Sequence, residues 1–301
     1  MEYAIEIKKL KKSYGKNVAL SGISFNVKKG SIMGFLGRNG AGKTTTIRIL
    51  MGLLKKDDGE VRVANKKLEG DLSQLRMKIG YMPENFSLYL DMTGREVLKF
   101  NSKFFKRMNE EKVLEYSKAF KLDLRKKIKS LSKGMKQAMS FAVATSTDPE
   151  ILILDEPLSG LDPVMREKML KFISKECADN GATIFYSSHI LEDVEKIADT
   201  VCIIDEGKGL FTGELDEIKE KRKKIVVTFK ENEREVAVEE LENLNGILKV
   251  KRSGHGFVLD IYGNIDEILS HLENMKTKSV EVLDMNLNDI FMDLVEGDEE
   301  K

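Results

Sequence analysis

Gly37-Arg38-Asn39-Gly40-Ala41-Gly42-Lys43-Thr44 fits the pattern Gly-x-x-x-x-Gly-Lys-Ser/Thr. An apolar run, Ile32 to Leu36, precedes it, and a segment with helical spacing through Ile47, Ile49, Leu50 and Leu54 follows. Strand, glycine-rich loop and helix in that order are what a phosphate cradle requires. The glycines let backbone N–H groups close around a phosphate, and the helix N-terminus adds positive partial charge. Asn39, Gly40, Ala41, Gly42 and Thr45 belong to this cradle with Gly37. Lys43 is placed to reach the β- and γ-phosphates of a nucleotide, and the Thr44 hydroxyl to ligate Mg²⁺. A lysine, a hydroxyl and three glycines at this spacing make a nucleoside triphosphate the expected ligand.

A second stretch carries complementary chemistry. Ile151-Leu152-Ile153-Leu154-Asp155-Glu156 is an apolar strand that ends in two carboxylates, and Pro157 prevents its ladder from continuing. Acids at successive positions point in different directions, so one can hold a Mg²⁺ shell while the next faces an attacking water. Asp155 is the expected metal ligand and Glu156 the expected general base. The plain structural alternative for this pair is a helix N-cap.

Composition narrows the class. The chain has 301 residues, 41% hydrophobic and 33% charged, a balance that suits a folded globular protein with a charged surface. Fifty Lys and Arg balance fifty Asp and Glu, so no bulk positive field is available to hold nucleic acid. The lysine-rich stretches Lys8 to Lys12 and Lys219 to Lys224 lack interleaved aromatics and read as solvated faces or linker. No apolar run approaches the ~18 residues that span a bilayer, and the first residues lack a secretory layout, so the expected location is cytoplasmic. Cys177 and Cys202 have no metal-ligand spacing and read as core thiols.

Outward from the two motifs, Tyr3, Ile5 and Ile7, then Phe25 and Val27, alternate as half-buried strands do. Helical patterns cover Arg95 to Phe120, Ser130 to Thr145 and Pro163 to Ala178. Continuous apolar strands at Ile151 to Leu154, Thr183 to Tyr186 and Val201 to Ile204 point to a parallel sheet covered on both faces. After Asp216 to Lys224 the pattern changes to strands at Ile225 to Phe229, Ile247 to Arg252, Phe257 to Tyr262 and Val280 to Leu283, with a helix at Ile265 to Met275. This is a small α+β domain, and Asp298 to Lys301 reads as a frayed tail.

With these segments in order, the region from Tyr3 to Gly213 resembles the ATP-binding cassette (ABC) ATPase family. Leu131-Ser132-Lys133-Gly134-Met135-Lys136-Gln137 is similar to the family signature, Leu-Ser-Gly-Gly-Gln. Ser159-Gly160-Leu161-Asp162 resembles its dimer-contact loop, and Ser187-Ser188-His189 its switch histidine. The resemblance implies an α/β fold: a P-loop NTPase core with an antiparallel β-subdomain and a helical subdomain at about 85–145, followed by a C-terminal α+β domain. The expected division is 1–218 and 219–301.

The resemblance also implies roles. Ser132 and Gly134, opening a helix, would grip the nucleotide of a second chain, with Asp162 at the dimer contact. His189 would sense the γ-phosphate. Tyr14 matches the aromatic that stacks on adenine; by itself it is open between stacking and core packing. Lys133 and Met135 depart from the signature. Glu84, in Tyr81-Met82-Pro83-Glu84, stands where the family has glutamine, near Mg²⁺ and the nucleotide. Implied partners are a membrane-spanning permease and a second nucleotide-binding subunit, identical or not. Phe86, Leu88, Leu90, Phe104 and Phe105 are candidates for the permease groove, with core packing the alternative for each.

Leu287-Asn288-Asp289-Ile290-Phe291 is similar to the end of the extension on subunits of prokaryotic multidrug or antibiotic exporters. The rival to a transport motor is an ABC ATPase acting on ribosomes or DNA, disfavoured by the single cassette, the absence of a coiled-coil insertion and the neutral charge. A non-hydrolysing regulator is disfavoured by Glu156 and His189. The histidines His255 and His271 read as surface or core residues.

Overall fold

In the computed structural model, residues 2–84, 89–105, 108–229, 241–254, 256–275 and 277–299 are described. The chain divides into two compact units, Met1–Thr212 and Gly213–Lys301. The first opens with two long strands, β1 (Tyr3–Tyr14) and β2 (Asn17–Lys28), then β3 (Ile32–Leu36) and helix α1 (Lys43–Leu50). Strands β4 (Asp58–Val63) and β5 (Lys66–Lys67) follow, with a single turn, α2 (Ser73–Arg76), and β6 (Ile79–Met82). A helical layer comes next: α3 (Gly94–Phe105), α4 (Glu110–Ala119) and α5 (Lys133–Thr145). Then β7 (Ile151–Asp155), α6 (Pro163–Ala178), β8 (Thr183–Ser188), α7 (Leu191–Ile197), β9 (Thr200–Asp205) and β10 (Lys208–Glu214) complete the alternation.

A six-stranded sheet in the order β10-β9-β3-β8-β7-β6 forms the centre, and β9, β3, β8, β7 and β6 pair in parallel. All five residues of β3 and of β7 are buried, as expected for strands covered on both faces. A four-stranded sheet, β2-β1-β4-β5, is antiparallel throughout. Its inward residues Ile5, Ile7, Phe25 and Val61 share one core with Phe35 of β3, Ile47 of α1 and Phe185 of β8. The Phe25 and Phe185 rings stack with centroids 5.6 Å apart, an arrangement that adds about 0.5–1.5 kcal/mol beyond area burial.

Helix α1 stops four residues short of the expected Leu54. Gly52, at φ 63°, donates its N–H to Ile49 O, and Leu53 donates to Arg48 O; this left-handed cap closes the helix while Ile47, Ile49 and Leu50 keep their buried face. The charged stretch Arg95 to Phe120, expected to be helical, holds the two helices α3 and α4. Asn109 separates them, capping α4 by accepting from the Lys112 N–H.

Helix α4 is tied to α6 by buried charge. The Lys112 ammonium, 7% exposed, lies 2.7 Å from Asp148 Oδ1 and 3.0 Å from Glu176 Oε2. Glu176 also accepts from the Tyr116 hydroxyl and the Asn180 amide, and burial beside this carboxylate pushes the Tyr116 phenol far up. Removing one partner strands the other charge. Lys112→Met is therefore expected to lower the unfolding free energy by about 3–5 kcal/mol, read as a lower urea midpoint at constant m-value.

The second unit holds α8 (Leu215–Lys221), β11 (Arg222–Phe229), β12 (Ile247–Ser253), β13 (Gly256–Tyr262), α9 (Ile265–Asn274), β14 (Thr277–Asp284) and α10 (Leu287–Glu299). Its sheet, ordered β12-β13-β11-β14, is antiparallel, and Ile268 and Leu272 of α9 pack in one core with Ile225, Val227, Leu259 and Ile261. Helix α10 runs to Glu299, so residues 298 and 299, expected as tail, are helical. Cys202 is buried as expected; Cys177 is only half-buried, its thiol donating to Gly30 O at 3.3 Å. Among the described residues no helix is long and apolar enough to cross a membrane. Phe86, Leu88 and His255 lie outside the described residues, while Leu90 and Phe104 are exposed.

Candidate functional site: a phosphate loop facing two strand ends

Parallel strands deliver their C-terminal ends to one edge of the sheet, and loops from that edge form the site. The loop from Gly37 to Gly42 leaves β3 there and enters α1. It stays tight because glycine is obligatory at two points. Gly42 sits at φ 107°, and a methyl group on it would lie 2.7 Å from Ala19 O; one on Gly37 would lie 2.5 Å from Ile204 O. No acid occupies the first turn of α1, so its N-terminal field is available to an anion.

Ala19, Asn39, Gly40, Gly42, Lys43, Thr44, Thr45, Glu84, Glu156, Ser159 and His189 line a cleft of about 490 Å³ at this edge. Lys43 donates to Gly37 O at 2.7 Å and Arg38 O at 3.2 Å, and its ammonium lies 3.4 Å from Glu156 Oε1. The other oxygen of that carboxylate, Oε2, is 2.7 Å from His189 Nδ1. Lys43, Glu156 and His189 thus form one chain of contacts across the cleft.

Strand β8 organises the acidic pair. Ser187 Oγ donates to Asp155 Oδ1 at 2.8 Å and accepts the Glu156 N–H at 3.0 Å, so one hydroxyl sets both carboxylates. Glu156 adopts φ 49°, a left-handed conformation that costs a non-glycine residue about 1–3 kcal/mol. This turn swings its side chain away from that of Asp155 and toward the cleft, and the Gln137 amide donates to its carbonyl at 3.4 Å. Burial raises the Asp155 carboxyl above its ordinary range; Ser187 and Thr44 hydrogen bonds oppose the rise, and the charges of Glu84 and Glu156 add to it.

A separate surface lies at the start of α5. Ser132 caps the helix by accepting the Met135 N–H at 3.2 Å, and Lys133 and Gly134 lie against the 159–162 loop. A methyl on Gly134 would sit 3.3 Å from Leu161 Cδ2, and one on Gly160 only 2.4 Å from Lys133 Nζ. Lys133 therefore occupies the space that Gly160 leaves open. Asp162 caps α6, accepting the Met165 N–H at 3.0 Å.

Comparison with known proteins gives this geometry its context. The ABC transporter family model matches residues 20–159, and a model of the DrrA1-3-like ATP-binding protein C-terminal domain matches residues 213–295. An AAA-domain model described as putative AbiEii toxin, type IV TA system, matches residues 127–192. The bacitracin transport ATP-binding protein BcrA of Enterococcus faecalis is 37% identical over 246 residues, 81% of this chain and 79% of that protein. The chain belongs to the ABC transporter ATP-binding family. The linearmycin resistance ATP-binding protein LnrL of Bacillus subtilis is 36% identical over 69% of this chain and 68% of that protein. Among solved structures, the dimeric ATP-binding cassette MJ0796, in a post-hydrolysis state with ADP and Pi, is 26% identical over 70% of this chain and 98% of that one, with a TM-score of 0.65.

As an ABC ATPase cassette, the chain brings together Asn39, Gly40, Gly42, Lys43, Thr44, Thr45, Glu84, Glu156 and His189 in the cleft, with Asp155 behind Thr44. Gly37 and Ala41 lie outside the lining: both are buried at the base of the loop, where the Ala41 methyl joins the core and its carbonyl accepts the Gly207 N–H. Tyr14 is also outside it, 47% exposed at the end of β1 with the Lys12 ammonium 5.9 Å from its ring. Ser132, Gly134 and Asp162 are likewise absent from the cleft. Ala19, Ser159, Ser187 and Gln137 were not assigned from the sequence. Ser187 and Ser159 sit inside motifs already visible there; Ala19 carries no local signal.

Proposed function

We propose that this chain powers a membrane exporter of antibiotic-like small molecules, with two nucleotide-binding subunits closing over ATP and each completing the other's site. The observation that carries this reading is the contact chain from Lys43 through Glu156 to His189. It sets a phosphate-binding cation, a base and an imidazole on one cleft. Relatives named for bacitracin transport and linearmycin resistance, together with the DrrA-like C-terminal match, support export as the direction.

In this reading the Gly37 to Thr45 loop cradles the triphosphate, and Lys43 turns from the Gly37 and Arg38 carbonyls to the phosphates. That move leaves Glu156 facing water, held by Ser187 behind and His189 beside it. Glu156 takes a proton as the water oxygen bonds to the γ-phosphorus; the bond to the bridging oxygen breaks, and ADP carries away its electron pair. His189 stays with Glu156 and reads the γ-phosphate. Thr44, Asp155 and Glu84 offer hard oxygen donors, and among the described residues the carboxylates Asp155, Glu84 and Glu156 outnumber Lys43, the lysine that lines the cleft. That donor set fits Mg²⁺, which would supply neutralisation of the charge developing on the phosphate oxygens.

Ser132 and Gly134 form the complementary surface, presented to a second chain's nucleotide. Their separation from the cleft supports completion in trans. Residues 1–212 act as the motor and 213–301 as an accessory domain, six residues earlier than the expected division at 218, because α8 (Leu215–Lys221) belongs with the second unit. The permease holds the subunit on the inner face of the membrane, where ATP is available.

Two measurements test this. Glu156→Gln, isolated from detergent-solubilised membranes with ATP, is expected to bring down an integral membrane protein and a second cassette; recovery of ribosomes instead would favour the rival. Adding Ser132→Arg is expected to leave ATP affinity of the single chain within about threefold and to remove the ATP-dependent dimer, read by light scattering, because the much longer side chain would fill the space the partner's phosphates need. Undiminished dimer would refute completion in trans.

A further inference from the structure

Strands β7 and β8 are parallel neighbours, with Asp155 opposite Ser187. Each is followed by a helix, β7 by α6 and β8 by α7, and the two connections carry Glu156 and His189. They are bridged close to the sheet by Ser187 and by the Glu156–His189 contact. They are bridged again one helical turn further out. Arg166, in the first turns of α6, places Nε 3.6 Å from Asp193 Oδ2 in the first turn of α7.

This outer pair is expensive. Asp193 is 2% exposed, and burial pushes its carboxyl up, with Arg166 and Lys196 opposing the shift and Glu167 and Glu192 reinforcing it. Neither Arg166 Nε nor Asp193 Oδ2 makes a hydrogen bond. As a source of stability such a pair is poor, since an apolar side chain in its place would serve as well or better. Nor is it needed to pack α7. Val194 already seats the helix, its Cγ1 lying where a methyl on Gly34 would be 2.3 Å away, and the Tyr186 hydroxyl donates to Asp193 O at 3.4 Å.

What a charge pair adds is direction. Val194 fixes the distance of α7 from the sheet, whereas Arg166 fixes where its first turn lies relative to α6. His189 precedes that turn by two residues, so the position of the turn decides whether its imidazole reaches Glu156. We propose that Arg166 and Asp193 are positioning residues that hold His189 on Glu156 and tie the hydrolytic centre to the 159–162 loop at the start of α6. This rests on the ATPase reading above. It assigns the pair no contact with nucleotide. Any movement of α6 imposed at its N-terminal loop would then be passed to the first turn of α7, and so to His189, through this pair, while the exposed Lys196–Glu167 pair joins the same two helices further along α7.

The test is steady-state and single-turnover ATP hydrolysis by the full chain. Asp193→Asn, which keeps the volume and removes the charge, is expected to lower kcat by about ten- to a hundredfold, the scale of a small misplacement at a reacting centre, while KM for ATP stays within about twofold. In a His189→Ala background the same substitution is expected to have no further effect on the single-turnover rate, since the residue it positions is gone. Arg166→Met should reproduce the pattern and Arg166→Lys should restore most of the rate. If Asp193→Asn does not fold, Arg166→Met, whose side chain is 29% exposed, carries the same comparison. An equal loss with and without His189, or an unchanged kcat, overturns the proposal. A wild-type chain that binds but never hydrolyses ATP would instead overturn the ATPase reading.

Discussion

Glu156→Gln is expected to bind ATP with undiminished affinity and to hydrolyse it about 10²- to 10⁴-fold more slowly than the parent chain. The amide keeps the size of the side chain and its place at φ 49°, where Ser187 accepts the backbone N–H. It cannot accept the proton from the attacking water. It also removes the negative partner 3.4 Å from Lys43, which frees the ammonium for phosphate and favours binding. Equilibrium binding of labelled ATP with single-turnover hydrolysis on the same sample separates the two effects. A rate within tenfold of the parent would mean that another group is the base.

Lys43→Ala is expected to weaken ATP binding by at least about a hundredfold. The ammonium is 7% exposed and held by two loop carbonyls. Charged hydrogen bonds are worth about 1.5–3 kcal/mol each, so losing two to the phosphates removes about 3–6 kcal/mol, or some two to four decades of affinity. The alanine variant also leaves Glu156 beside the phosphates without its cation, which adds repulsion. Calorimetric titration with ATP, alongside an unchanged circular dichroism spectrum, reads the result. Wild-type turnover in this variant would contradict the assignment of the loop.

Both predictions concern residues whose chemistry could be read locally. Phosphate binding needs glycines, a lysine and a hydroxyl adjacent in the chain, because one loop must wrap one phosphate. The acidic pair is likewise local, since a strand end presents consecutive residues. Helix α6 was legible to its ends, Pro163 and Ala178, because proline and an aspartate cap mark its start. The end of α1 was not: Gly52 overrode an apolar spacing that continued to Leu54.

Contacts that join distant segments followed a different rule. Ser187 lies 32 residues from Asp155, and no pattern in either segment says that one hydroxyl serves both acids. Lys112 and Glu176 are 64 residues apart, each ordinary in a charged helix until burial leaves them one another as partners. Ala19 reaches the cleft only because β2 passes beneath the phosphate loop, where its carbonyl is among the atoms that require glycine at position 42.

The order of motifs along the chain is therefore enough to point to the family and to a nucleotide site, and to single out Glu156 as the residue to test as base, because each motif groups its residues within a few positions. The orientation of Glu156 toward Lys43 and His189, the exclusion of Ser132, Gly134 and Asp162 from the cleft, and the tie between Arg166 and Asp193 arise only when parallel strands set their ends side by side. Strand pairing and helix packing bring those groups within a few ångströms, and at that distance burial and charge decide what each can do.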